Sequence, residues 1–117
     1  NIDFVQFTYN IVDREAENYL LDLAYEKNIS VIANRPFQGG NLFNLVENKI
    51  LPSWAKEIGI NTWASYFLKY IISHRAITCA IPATTQIVHM LENMEAMYGY
   101  IPTQKDRKKM EYFIKEI

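Results

Sequence analysis

Residues 77–93 constrain the chain more than any other stretch. Ile77-Thr-Cys-Ala-Ile81 is short and apolar, Pro82-Ala-Thr-Thr-Gln86 follows, and a helical pattern carrying His89, Glu92 and Asn93 comes next. A strand that passes through proline and hydroxyl residues straight into a helix leaves the first helical N–H groups free. They aim past the strand's carboxyl end, where an anionic ligand finds donors and a favourable dipole. Thr84 and Thr85 either cap those amides or offer hydroxyls to a phosphate, while His89, Glu92 and Asn93 fall on successive faces of the first two turns. An ordinary capped helix satisfies the same pattern, so the residues alone leave both readings open.

Around this stretch, strand and helix patterns alternate. Phe4-Val-Gln-Phe-Thr-Tyr9 reads as a strand. Asp13 then caps a predicted helix whose buried face is Ala16, Tyr19, Leu20, Leu23 and Ala24, ending near Asn28. Ile29 to Ala33 is apolar and β-branched, a strand covered on both sides, and Arg35-Pro36 stops it because proline donates no hydrogen bond. After the Gly39-Gly40 loop, residues 41–51 suggest one or two helical turns, and Pro52-Ser53 opens a short helix stopped by Gly59. Asn61 is the expected cap of the strongest helix, with Trp63, Ala64, Phe67, Leu68, Ile71 and Ile72 as its apolar stripe. Beyond the third strand, Ile87, Met90, Leu91, Met94 and Met97 form one side of a helix, the methionines as core filler. Thr103-Gln-Lys-Asp106 then caps a last helix with Met110, Phe113, Ile114 and Ile117 on one face. This order predicts an α/β fold with about three parallel strands, near residues 3–9, 29–33 and 76–81, and covering helices. Ligands of such sheets gather at the carboxyl ends of the strands.

A length of 117 residues, half of them hydrophobic, bounds the chain to one unit, residues 1–117, with a real core but too short for a complete barrel. It opens on Asn1, and strand alternation begins almost at once, so it reads as an excised piece. A net charge of −1, with the one basic run broken by Asp106, argues against nucleic acid as partner. No apolar run reaches the roughly 18 to 20 residues of a membrane span. The default address is cytoplasmic, with a targeting signal upstream left open. A lone cysteine, Cys79, allows neither an internal disulfide nor a paired-cysteine zinc site, and inside an apolar strand it reads as an inert core residue. Paired glutamates such as Glu15 and Glu17 carry no acid–base signal on a solvated helix, and no metal site is expected. Tyr66 and Tyr70, four apart, suggest packing against a partner surface or against the missing half of the protein. Tyr9 reads as structural at a strand end, and His74 as a cation near a helix C-terminus.

Three ordered stretches, Phe4 to Tyr9, Ile29 to Phe37 with Gly39-Gly40, and Ile81 to Asn93, resemble the C-terminal part of the aldo/keto reductase family. The resemblance implies the last part of a TIM-type (β/α)8 barrel and a nicotinamide cofactor, NADP(H) or NAD(H), acting on a small carbonyl substrate in the full-length protein. It implies that Gln6 bonds the carboxamide, that Phe37, Gln38 and Gly39 lie along the pyrophosphate, that Thr84, Gln86, His89, Glu92 and Asn93 surround the adenosine, and that Asn34, Arg35, Pro36, Ala83 and Thr85 belong to the same cofactor site, Arg35 as a charge that compensates at the 2′-phosphate. Asn34 stands where many members have a stacking aromatic ring, and Ala83 and His89 where many have Lys and Arg at the 2′-phosphate. Discrimination between NADPH and NADH should therefore be modest, and should rise as His89 becomes protonated. The family's catalytic Asp, Tyr, Lys and His belong to the other half of the barrel, so no catalytic residue is expected here. The chain thus reads as the cofactor-binding portion of an enzyme, or alternatively as a non-enzymatic α/β module that binds a nucleotide or another protein. A cut barrel bares its inner strand face, so Phe4, Ile32 and Ile77 or their neighbours should meet water and drive self-association.

Overall fold

Alternation decides the sheet. Strands β1 (Phe4–Thr8), β2 (Ser30–Asn34) and β3 (Cys79–Ile81) pair in parallel in the order β1-β2-β3, in a computed structural model that describes residues 4–81 and 99–117. The register sets Gln6 beside Ile32, Thr8 beside Asn34 and Ile32 beside Cys79. Val31 and Ala33 are wholly buried and Ala80 nearly so, whereas Phe4 on the alternate face is 54% exposed. One face of the sheet is therefore core and the other open, as period-two geometry requires. Ile77 departs from the expectation of exposure: it joins the core, and Cys79 takes its place, partly exposed on the open face opposite Ile32. Cys79 is accordingly not a core residue.

Five α-helices among the described residues cover the core face: α1 (Leu20–Glu26), α2 (Asn41–Leu45), α3 (Ser53–Glu57), α4 (Trp63–Ile72) and α5 (Gln104–Glu116). The helix expected from Asp13 is split. A 3-10 turn, Glu15–Asn18, precedes α1, and Tyr19 breaks the path with φ −155° and ψ −52°. The break rotates the buried face, so Leu21 and Ala24 are inside while Tyr19 and Leu20 are 65% and 48% exposed. Asn28, at φ 55°, ends α1 in the left-handed conformation asparagine tolerates.

Helix α4 is the spine of the core. Thr62, rather than Asn61, caps it, its hydroxyl accepting from the Ser65 N–H at 3.0 Å. Tyr66, Phe67, Leu68, Tyr70 and Ile71 are all fully buried, each such side chain contributing about 1.5–3 kcal/mol. Tyr66 and Tyr70 therefore serve the interior instead of a partner surface, and Tyr66 donates to the Met110 carbonyl of α5 at 2.9 Å. Lys69, also buried, donates to the Tyr100 carbonyl at 2.9 Å, and burial lowers its pKa. Trp63 stacks on Phe67 and Phe113, with ring centres 5.9 and 6.0 Å apart. Helix α5 begins at the expected capping box of Thr103 and Asp106. The helix predicted to carry Ile87, Met90, Leu91, Met94 and Met97 lies outside the described residues. No helix of the described residues is long and apolar enough to cross a membrane.

Candidate functional site

At the carboxyl ends of β1 and β2 the chain makes an unusual turn. Thr8 Oγ1 donates to Asn34 Oδ1 at 3.0 Å, fixing the carboxamide at the sheet end. The backbone then enters the left-handed region at Arg35 (φ 51°), again at Gln38 (φ 54°), and stays there through Gly39 (φ 63°) and Gly40 (φ 93°). Pro36 and two glycines permit this path. The Gln38 N–H bonds back to the Arg35 carbonyl at 3.0 Å, and the Leu42 N–H to the Phe37 carbonyl at 3.2 Å, so the turn feeds directly into α2. That brings Phe43 against Phe37, ring centres 4.7 Å apart, with Phe67 behind both.

The result is a cleft of about 640 Å³ lined by Gln6, Asn34, Arg35, Pro36, Phe37, Gly39, Gly40 and Phe43, a size proper to a small-molecule site. Gln6 and Asn34 offer amide donors and acceptors. Arg35 is exposed, and among the described residues no carboxylate pairs with its guanidinium. A Cβ at Gly39 would stand 3.1 Å from an Arg35 guanidinium nitrogen, so the glycine makes room for the cation to lie against the turn. Amides, a cation and apolar rings together suit a ligand that carries an amide-like head, an anion and a flat apolar surface.

Six of the residues expected at a ligand site, Gln6, Asn34, Arg35, Pro36, Phe37 and Gly39, thus line one cleft. Gln38 does not: its Oε1 accepts from Asn10 Nδ2 at 2.6 Å instead. Ala83, Thr84, Thr85, Gln86, His89, Glu92 and Asn93 lie outside the described residues. Reading the sequence missed Phe43 and Gly40 as cleft residues.

It also missed a buried polar network beside the cleft. Arg107, 5% exposed, donates to the Tyr9 hydroxyl at 2.8 Å, to Ser73 Oγ at 2.6 Å and to the Tyr70 carbonyl, and pairs with Glu17 at 3.4 Å. Tyr9 donates to Glu17, and Tyr70 to Glu111 at 2.5 Å; Glu111 pairs with Arg14 at 3.0 Å. Burial holds the Tyr9 phenol well above its ordinary pKa, with Glu17 adding to the rise against Arg107. Burial does the same to Tyr70, aided by Tyr9 and Glu111. Such phenols keep their protons, which fits a structural role for Tyr9. His74 is not the expected cation: burial and then the Arg107 charge lower its pKa, and its Nδ1 accepts from the Ala76 N–H at 3.1 Å. The signal for Arg107 was present in the sequence, since it precedes Met110 and Ile114 by three and seven residues and so shares their face.

Compared with known families, residues 1–111 match the Aldo/keto reductase family. No curated protein matches the chain. Among solved structures, an aldo/keto reductase from Klebsiella pneumoniae, in complex with NADP and acetate, is similar with a TM-score of 0.75 and 24% identity. The alignment covers 93% of this chain and 38% of that one. The holo form of an aldo-keto reductase from Bacillus halodurans is similar with a TM-score of 0.71 and 19% identity, over 97% of this chain and 43% of that one. The chain spans about two fifths of the length of these structures. Likeness at this identity shows the fold: three parallel strands with covering helices, part of a TIM-type (β/α)8 barrel.

Proposed function

The chain belongs to the aldo/keto reductase family, and on that premise we propose that it is the cofactor-binding portion of an NAD(P)H-dependent carbonyl reductase. One observation carries the reading. The cleft at the ends of β1 and β2 unites the carboxamides of Gln6 and Asn34, the side chain of Arg35 and the open backbone of Gly39. A nicotinamide dinucleotide presents a carboxamide, a pyrophosphate and flat rings, and these groups are chemically matched to it. When bound, that cofactor supplies the hydride. Gln6 would hold the carboxamide, Arg35 and the turn at Phe37 and Gly39 the pyrophosphate, and Thr84, Gln86, His89, Glu92 and Asn93 the adenosine. With Asn34 in place of a ring, the site would offer the nicotinamide an amide and no stacking surface.

Carbonyl reduction also needs a proton donor held beside the hydride carrier. Tyr9 is fully buried and gives its proton's hydrogen bond to Glu17, so it reaches no substrate and no turnover is expected of the chain by itself. Cofactor binding is expected to be weak and led by the adenosine end. The test is calorimetric titration with NADPH and with 2′,5′-ADP, beside an assay of aldehyde reduction. NADPH binding about tenfold tighter than 2′,5′-ADP, the share of the cleft's charge-assisted contact, and no turnover are the expected result. No binding of either at millimolar concentration would overturn the cofactor reading, and measurable turnover would overturn the assignment of catalysis to another part of the barrel.

A further inference from the structure

Asn10 is fully buried, and its side chain divides its hydrogen bonds between two segments. Oδ1 accepts from the Val12 N–H at 3.0 Å and the Asp13 N–H at 2.8 Å, closing the turn that follows β1. Because those partners are N–H groups, the opposite end of the amide must be the donor. Nδ2 donates to the Arg35 carbonyl at 2.9 Å and to Gln38 Oε1 at 2.6 Å. Arg35 and Gln38 are the two non-glycine residues of the cleft turn held at positive φ. Residues of that kind occupy the left-handed region only where their surroundings over-determine it. Among the described residues, Asn10 is the one side chain from outside residues 35–40 that hydrogen-bonds to that segment.

We infer that Asn10 is a positioning residue: it holds the cleft wall of residues 35–40 in its ligand-accepting shape without lining the cleft itself. The inference rests on the cleft being the ligand site. It also explains why Gln38 turns away from the cleft: its side chain is the second anchor of the turn. An amide is required, because a carboxylate could still serve Val12 and Asp13 but would set an oxygen against the Arg35 carbonyl, where no donor remains.

Asn10→Asp therefore separates the two tasks. The readout is hydrogen exchange of the ligand-free chain, with NADPH and 2′,5′-ADP titrations and a thermal midpoint measured alongside. Exchange at the amides of Gln38, Gly40 and Leu42 is expected to rise roughly tenfold while the other helices stay protected. NADPH affinity should fall by about the same factor, with 2′,5′-ADP affinity unchanged. Unchanged exchange at those amides would overturn the inference, whatever the ligand data show. Absence of NADPH binding to the unsubstituted chain would instead overturn the cofactor reading, while the exchange comparison still decides the role of Asn10. Should Asn10→Asp fail to fold, Gln38→Ala keeps Asn10 and removes one of its two loop acceptors. A smaller, local rise at the same amides supports the inference, and no rise overturns it.

Discussion

The guanidinium of Arg107 donates to the Tyr9 hydroxyl at 2.8 Å, joining the end of β1 to the last helix across 98 residues of sequence. The same group lies 4.0 Å from the Tyr70 ring centre and bonds Ser73, so one buried cation binds the first strand, α4 and α5 together. Arg107→Met should cost about 2–4 kcal/mol: it removes the donor to the Tyr9 hydroxyl and leaves Glu17 partly buried without this cation, while Ser73 and the Tyr70 carbonyl keep only the bond between them. Arg107→Lys should recover less than half, because an ammonium cannot fork toward Tyr9 and Ser73 at once. Urea denaturation measures both; a loss below about 0.5 kcal/mol for the methionine variant would mean the network holds nothing.

His74 gives the fold a pH dependence. Burial, and then Arg107, lower its pKa in the folded chain, with Glu17 and Asp22 opposing without reversing the shift. The unfolded chain therefore takes up the proton first. The stabilisation is fully present above the unfolded value near pH 6.5 and is lost as the pH falls through the folded pKa. Stability should decline on acidification from pH 7.5 to 5.5, and His74→Asn, whose carbonyl can still accept from Ala76, should flatten the decline. A flat profile for the unsubstituted chain would contradict the environment described for His74.

At the start of α5, the Thr103 hydroxyl accepts from the Asp106 N–H at 3.2 Å, and Asp106 Oδ2 accepts from the Thr103 N–H at 3.0 Å. Desolvation pushes the Asp106 pKa up, but hydrogen bonds from Tyr100 and Thr103 outweigh it, and the value falls below the ordinary one. That stabilisation is present above the unfolded value, about pH 4, and disappears below it as the carboxylate is protonated. Thr103→Ala should cost about 1 kcal/mol at neutral pH. Calorimetric melting of the variant checks it, and an unchanged midpoint would show the cap to be dispensable.

The cofactor reading makes Arg35 the electrostatic contact of the cleft. Arg35→Met should raise the dissociation constant for NADPH by about five- to tenfold and reduce its dependence on salt, as expected when one charge-assisted contact is removed. Titrations at low and high salt measure both effects. Identical salt slopes for the two chains would place the cation away from the ligand.

Phe4, 54% exposed, stands on the open sheet face with Ile32 and Cys79, and we expect that face to be covered by a second copy. Sedimentation should show a dimer or larger species, and Phe4→Glu should shift it toward monomer. A monomer at high concentration would sink the expectation.

What the sequence made legible follows from the range of the forces involved. The alternation of β1 and β2, the Gly59 stop and the Thr103–Asp106 box are local, and each stands where its spacing placed it, whereas β3 begins only at Cys79 and leaves Ile77 in the core. Gln6 and Asn34 could be brought to one cleft because parallel pairing fixes which strand ends lie together. The split before α1 was not legible, since Tyr19 has no breaker's chemistry, and the rotation exposing Leu20 follows from that one residue. The bonds from Asn10 to Arg35 and from Arg107 to Tyr9 were invisible for a different reason: each joins polar residues far apart in sequence, and nothing in either neighbourhood names the other.

The ring sequence from Phe43 and Phe37 through Phe67 to Trp63 has an optical consequence. Only two indoles are present, and Trp54 stands on the far side of Tyr66, ring centres 6.2 Å apart, with the Lys109 ammonium 5.5 Å from its own ring centre. Trp63 is one ring removed from the cleft wall, so its emission colour and lifetime should register any shift of Phe37 passed on through Phe67. Replacing Trp54 by phenylalanine would leave a single indole, excited at wavelengths the eight tyrosines do not absorb, and occupancy of the cleft could then be followed by light from the protein itself, with no dye attached.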